Sequence, residues 1–405
     1  MILKRSFWVW LHRWAGLFMA GFLIIVGATG SLLAFYPEQI QDNRLDVAAL
    51  AELAQQQIPH GRVDFVTLEA AHGATQVGMS APPDEAGQAS ALGFNQLILD
   101  PYTGEELGRR RFGVISEGMI NFMPFVYKLH YELALDRFGL WVLGICALIW
   151  TIDCFVGFYL TLPQRRRQPP KSSPDQNSWG PAWKIRWQSS SYKLNFDLHR
   201  ASGLWLWLIL LTFAWFSVYM NLGDTVYTWT TRAVMEYKAP WTELPKRNIP
   251  LAEAEIGRRQ TQSIGEELMA EQADKHHFTI EQVVALGLNR MNGTYAYTVR
   301  SSKDIQDKRS RTSVFFDANS GELKLALLPS GQYSGNTVTT WLAALHIANV
   351  FGLPYRIFVC VLGLAIVMLS VTGIIIRMKK RAARLSPKNH QYDSRYLGPS
   401  VHRHS

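Results

Sequence analysis

Cysteine is scarce: Cys146, Cys154 and Cys360 are the only three in 405 residues, and each lies inside an apolar run. The long polar segments have none, so no disulfide framework can hold them, and no Cys-x-x-Cys pair exists to ligate a metal. Cys-x-x-Cys-His is absent too, which excludes covalent attachment of a c-type haem. No Gly-x-Gly-x-x-Gly follows a strand-like stretch, so the chain has no dinucleotide-binding domain of its own. No apolar run carries paired carboxylates, which leaves ion-coupled transport without its usual chemistry. The net charge is +9, but the excess sits in short segments flanking the apolar runs, which argues against nucleic acid as a partner.

What is abundant is hydrophobic sequence in four long runs, separated by two polar stretches. The expected division is 1–37, a first transmembrane helix; 38–118, a polar helix-and-strand region; 119–162, a short His-bearing helix followed by a second transmembrane helix; and 163–198, a basic cytoplasmic linker. Then come 199–222, a third transmembrane helix; 223–336, a second polar region; 337–378, another His-bearing helix with a fourth transmembrane helix; and 379–405, a cytoplasmic tail. The first run, Trp14 to Tyr36, exceeds a signal-peptide core and lacks a small-x-small cleavage site, so it reads as a retained anchor. Gly139 to Leu162 is 24 residues, roughly 36 Å of helix, enough to cross a bilayer. Breaks are expected at Arg137-Phe138-Gly139 and at Gly352-Leu353-Pro354. Trp179, Trp183 and Trp187 recur every four residues, as in a helix lying in the membrane interface.

The polar regions share an order. Asp46 to Gln57 reads as a helix, followed by strand-like pieces such as Asp64–Leu68 and Gln96–Leu99 and a turn at Asp100-Pro101-Tyr102-Thr103-Gly104-Glu105. Ala252 to Ala273 is again helix-like, with strand-like Phe278–Leu286, Tyr295–Arg300 and Thr312–Phe316 and the turn Asp317-Ala318-Asn319-Ser320-Gly321-Glu322.

One motif occurs twice, as Leu11-His12-Arg13-Trp14-Ala15-Gly16-Leu17 and Leu198-His199-Arg200-Ala201-Ser202-Gly203-Leu204, each time where a charged segment runs into an apolar one. Gly16 and Gly203 each lie four residues after that His, and Gly157 and Gly373 each lie 27 residues after a second His, His130 or His346. The chain is therefore expected to contain two halves. The segment Pro163 to Leu198 holds seven Lys/Arg against two acidic residues, and the C-terminal stretch is also basic. The positive-inside rule puts both, and the N-terminus, in the cytoplasm. Pro37 to Phe125, with five Lys/Arg and twelve Asp/Glu, suits the opposite side. Two halves of equal orientation are parallel repeats related by an axis along the membrane normal.

That axis places equivalent residues at equal depth. His12 can pair with His199 near the cytoplasmic face, and His130 with His346 near the other; His12 and His130 would be about 30 Å apart. Ionisable residues at membrane depth are functional candidates by default. Two imidazoles on facing helices suit the iron of a b-type haem, since neutral imidazole adds no charge in hydrocarbon. Gly16 and Gly203 can let a flat macrocycle approach the backbone. Arg13 and Arg200 suit haem propionates, with plain positive-inside topology as the alternative reading. Asp153 has no counterpart in the fourth run and reads as a helix-packing hydrogen bond. Phe122, Phe125, Tyr127 and Trp341 are candidates to line an acceptor site, or to pack in the core.

These residues together resemble the PepSY-associated transmembrane helix family of bacterial inner-membrane proteins. The likeness rests on the doubled Leu-His-Arg-x-x-Gly-Leu, the two Asp-to-Gly-Glu turns, Lys128-Leu129-His130-Tyr131-Glu132 with Leu345-His346, and Gly157 and Gly373, from about residue 4 to 381. The resemblance implies a mainly α membrane protein with four spans, both termini cytoplasmic, and two periplasmic α+β PepSY-like regions. For iron-regulated members it implies a dihaem reductase of ferric siderophores, with His12, His199, His130 and His346 as axial ligands. With no nucleotide-binding module in the chain, the electron donor would be separate, a quinol or a flavoprotein. The competing expectation is a non-enzymatic regulator whose PepSY-like regions bind a peptide or a protease.

Overall fold

The computed structural model describes residues 4–35, 44–68, 73–82, 92–163 and 178–385. The expected basic stop at Gln164–Pro170, the end of the first span at Tyr36 and Pro37, and the tail from residue 386 lie outside the described residues.

The first half runs α1 (Arg5–Leu33), α2 (Val47–Gln57), β1 (Arg62–Thr67), β2 (Thr75–Ser80), β3 (Gln96–Leu99), β4 (Glu106–Arg110), α3 (Phe122–Glu132) and α4 (Asp136–Thr161). The second runs α5 (Ser191–Trp205), α6 (Trp207–Leu222), α7 (Thr228–Arg232), α8 (Pro240–Glu243), α9 (Arg258–His276), β5 (Ile280–Asn289), β6 (Thr294–Ser301), β7 (Thr312–Asp317), β8 (Leu323–Leu327), α10 (Ser334–His346) and α11 (Gly352–Leu385). Among the described residues, four helical stretches are long and apolar enough to cross a membrane: Arg5–Leu33, Asp136–Thr161, Trp207–Arg232 and Gly352–Leu385. Ile152, Phe155, Leu208, Val361 and Leu364 point outward from them, where hydrocarbon is the solvent these side chains suit.

In the bundle α1 lies along α11, and α4 lies along α6. The α1–α11 seam is close because Gly27 faces Gly363: a Cβ on Gly27 would stand 2.8 Å from the Gly363 carbonyl oxygen. Ser31 joins this seam by donating from Oγ to the carbonyls of Gly27 and Cys360, both at 2.9 Å. Small residues of this kind let helix backbones approach in lipid, where packing replaces the hydrophobic effect. Arg5 reaches across to the end of α4 and donates to the carbonyls of Leu160 at 2.5 Å and Leu162 at 3.2 Å, groups that the helix leaves without partners.

The two polar regions form one sheet. Its eight strands are antiparallel, in the order β4-β3-β2-β1-β5-β6-β7-β8. At the join, Phe65, Val66 and Thr67 of β1 pair with Gly287, Leu286 and Ala285 of β5. Leu50 and Ala54 of α2 and Met269 of α9 pack with Val77, Leu97, Tyr297 and Phe316 into a shared core. Asp46 caps α2, its Oδ1 accepting from the Ala49 N–H at 2.6 Å. Both expected turns close the same way. Asp100 Oδ1 accepts from the N–H groups of Tyr102 and Thr103, and Asp317 Oδ1 from those of Asn319 and Ser320. These donors hold both carboxyls below their ordinary range, the Thr103 and Ser320 N–H groups weighing most. Gly104 and Gly321 supply the positive φ at 72° and 75°.

Several boundaries differ from the sequence expectation. Arg137-Phe138-Gly139 lies within α4, and the break falls before it, where Leu133, Ala134 and Asp136 take positive φ. The second break is at 347–351, with Ala348 and Phe351 left-handed; Leu353 and Pro354 sit in the first turn of α11, which tolerates proline. The third apolar run, expected as one helix over 199–222, is divided at Leu206: α5 carries His199, and the stretch apolar enough to span starts after it, at Trp207. Around the three tryptophans only Gly180–Trp183 is helical, a single tight turn, because Pro181 and the flanking glycine interrupt the periodicity.

Candidate cofactor site

The bundle brings the four histidines together in two pairs. The rings of His12, on α1, and His199, on α5, have centroids 6.1 Å apart and planes inclined at 57°. The rings of His130, on α3, and His346, on α10, are 6.3 Å apart at 54°. Along α1, His130 packs beside Thr29 and Gly30, so the pairs are separated by roughly 26 Å of helix rise.

The ring nitrogens are oriented by their neighbours. His12 Nδ1 donates to Asp153 Oδ1 of α4 at 2.8 Å. His199 Nδ1 donates to the Leu369 carbonyl of α11 at 3.0 Å, with Thr372 Oγ1 at 3.1 Å. A carbonyl can only accept, so the proton of neutral His199 is on Nδ1 and its lone pair on Nε2. Thr29 Oγ1 spends its own hydrogen on the Ile25 carbonyl at 2.7 Å and therefore accepts from His130 Nδ1 at 3.0 Å. His346 is different: its Nδ1 is buried without a hydrogen-bond partner among the described residues, between the rings of Phe213 and Phe216 at 4.7 Å and 5.0 Å.

Glycines make the room these rings occupy. A Cβ on Gly157 would lie 3.5 Å from His12 Cε1, one on Gly373 3.3 Å from His199 Cε1, and one on Gly30 3.0 Å from His130 Cε1. Gly16 and Gly203 make no such room, since a Cβ at Gly16 meets open space and one at Gly203 only Leu369 at 3.8 Å. The arginines of the doubled motif are placed differently from each other. Arg200 Nη2 donates to Asp197 Oδ1 at 2.9 Å and to the Pro181 carbonyl at 2.7 Å, so it secures the segment before α5. Asp197 is fully buried and also takes two bonds from Arg186, at 2.6 Å and 2.9 Å. Arg13 stands near Lys380, a like charge.

These residues fit a metal held between two imidazoles. Opposed imidazoles with metal–nitrogen bonds of about 2 Å have ring centroids roughly 6.4 Å apart, close to both observed separations. In three of the four rings Nδ1 is anchored and Nε2 is left available, the usual arrangement of ligating histidine. Among the described residues no third His, Cys, Asp or Glu joins either pair as a ligand group. The remaining coordination positions would have to come from outside the chain, as a porphyrin supplies them.

A model of the PepSY-associated TM region matches residues 9–380. The chain belongs to this family. No curated protein matches it. Within this PepSY-associated chain, His130 and His346 open onto a pocket that Gly30, Tyr127, Trp150 and Phe213 help to line. Of the aromatic residues expected at an acceptor site, Tyr127 lies in this lining and Phe122, Phe125 and Trp341 do not. The supports that the sequence does not announce are Thr29, Gly30 and the Leu369 carbonyl. Asp153, expected to pack helices, does bridge α4 and α1, but its partner is a histidine of the motif. Asp153 and Leu369 both stand four residues before a closing glycine, so the shared position is visible in the sequence; a search for a second carboxylate cannot find a main-chain acceptor.

Proposed function

We propose that this protein is a dihaem b-type cytochrome of the bacterial inner membrane that passes electrons from the cytoplasmic side to a periplasmic acceptor. The observation that carries this reading is the pairing of His12 with His199 and of His130 with His346 at 6.1 Å and 6.3 Å, each pair drawn from both halves of the chain. Two b-type haems, one per pair, would supply one-electron redox chemistry at the two ends of the bundle. The chain's own residues hold and orient. Asp153, the Leu369 carbonyl and Thr29 fix the tautomer and angle of three imidazoles, and Gly157, Gly373 and Gly30 keep the space beside them clear. Phe213 and Phe216 keep water from His346.

In this reading the halves are parallel repeats about an axis along the membrane normal, with the eight-stranded sheet in the periplasm and both termini in the cytoplasm. The sheet order, which reads alike from both edges when β1–β4 are matched with β5–β8, supports it. The acceptor is a ferric siderophore, whose iron is released because Fe(II) binds hard oxygen ligands less tightly than Fe(III) does; this last assignment follows from family likeness. The donor is a separate quinol or flavoprotein.

The deciding experiment is a pyridine haemochrome assay with iron counted per chain, on detergent-purified protein made with ample haem. Two b-type haems per chain are expected. One would make one histidine pair structural, and none would leave a peptide- or protease-binding regulator as the better account.

A further inference from the structure

The pocket beside His130 and His346 carries a charge that the redox reading does not use. Lys308 and Arg311 reach it from the β6–β7 loop, residues 302–311, and Arg356 reaches it from α11. No Asp or Glu lines it among the described residues. We propose that these three cations form a subsite for carboxylate anions at the mouth of the His130–His346 pocket.

The loop is built to bring them there. Its own acidic residues are spent on structure. Asp304 accepts from the N–H groups of Ser301 at 2.9 Å and Arg311 at 2.7 Å and from Thr312 Oγ1 at 2.9 Å. Asp307 Oδ2 accepts from the Gly352 N–H at 3.0 Å, while the Asp307 N–H donates to the Asn349 carbonyl at 2.8 Å. Gln306 and Asn349, both buried, complete the latch at 3.3 Å. The loop is thus fastened to the corner that follows His346, and its basic residues line the pocket. Like charges gathered without a lining carboxylate repel each other, and an anion removes that cost. Guanidinium forks match carboxylates in two-bond geometry, which favours carboxylate over a neutral chelate.

Two sources of carboxylate suit the place: the propionates of a haem between His130 and His346, and the carboxylates of a ferric polycarboxylate acceptor. The acceptor source rests on the redox reading above, and the test separates the two. Gallium(III) citrate, which is redox-inert under these conditions, is offered by equilibrium dialysis to the purified full-length protein, beside a neutral gallium tris-hydroxamate. The variants are Lys308→Gln/Arg311→Gln/Arg356→Gln and the charge-preserving Lys308→Arg, and haem is counted on the same samples. If the triple variant elutes as an aggregate, Lys308→Gln and Arg356→Gln are used singly.

An acceptor subsite shows as gallium citrate binding that weakens at least roughly ten-fold in the triple variant, survives Lys308→Arg, falls with salt and exceeds hydroxamate binding. A propionate subsite shows instead as loss of one haem in the triple variant. Unchanged citrate affinity together with unchanged haem content overturns the proposal. Wild-type protein that lacks haem yet binds gallium citrate through these cations keeps the subsite and removes the redox reading.

Discussion

At the scale of single residues, the two histidine pairs differ in what stands behind them. His12 leans on a buried carboxylate and His199 on a carbonyl, whereas His346 has no partner at Nδ1 among the described residues. A carboxylate makes an imidazole a stronger donor and favours the oxidised metal. Asp153→Asn is therefore expected to raise the midpoint potential of the haem proposed between His12 and His199 and to leave the other unchanged, as read by a spectroscopic redox titration. Retention of that haem should also weaken, by about 10–100-fold, the usual size of an outer-shell loss. An unshifted potential would return Asp153 to plain helix packing. The histidines themselves were legible in the sequence because an ionisable side chain at an apolar boundary is conspicuous, and because each stands at a fixed distance from a glycine. Their supports were not. A main-chain carbonyl such as that of Leu369 leaves no residue type to search for, and Thr29 is an ordinary residue of an apolar helix until His130 folds against it.

At the scale of elements, the corners decide where the second pair sits. α3 and α10 each end one turn or less beyond their histidine, and the chain then turns into a long span. That a break must occur was legible from length, since one unbroken helix from His130 would overrun the membrane. Its position was not, because glycine is commonly a breaker and Gly139 serves another purpose. It lies in the first turn of α4 against the end of α3, and a Cβ there would stand 1.6 Å from the Glu132 carbonyl oxygen. The left-handed residues that make the turn, Leu133 and Ala134, are types that rarely adopt that conformation and so gave no signal. Gly139→Ala is expected to force the corner apart at a cost of about 1–3 kcal/mol or more. Thermal unfolding should show a lower Tm, and the haem proposed at His130 and His346 should be lost while the one proposed at His12 and His199 stays. Equal loss of both would mean that the corner supports the bundle as a whole.

At the scale of the molecule, neither half is a finished unit. Each contributes four strands and one covering helix to the sheet, and the halves meet at the β1–β5 pairing. In the bundle, α1 of the first half lies along α11 of the second, and α4 along α6. The four spans and the helix-then-strands order were legible from hydrophobic runs and turn chemistry. The fusion of two polar regions into one sheet was not, because strand pairing across roughly 220 residues leaves no local pattern and β2, β4 and β8 are short or mixed in character. The consequence can be tested by dividing the chain in the linker, after residue 170, into residues 1–170 and 171–405. His12 and His130 fall in the first piece and His199 and His346 in the second, so each piece holds one member of every pair. Either piece expressed alone is expected to bind no haem. Co-expressed, the two should copurify and recover both haems, because the seams between them are apolar helix faces and a strand ladder rather than the linker. Val66→Pro removes a ladder donor at the β1–β5 join and should weaken that recovery. Haem retained by one piece alone would place both ligands of a centre within one half and end the cross-half pairing, whatever the full chain carries.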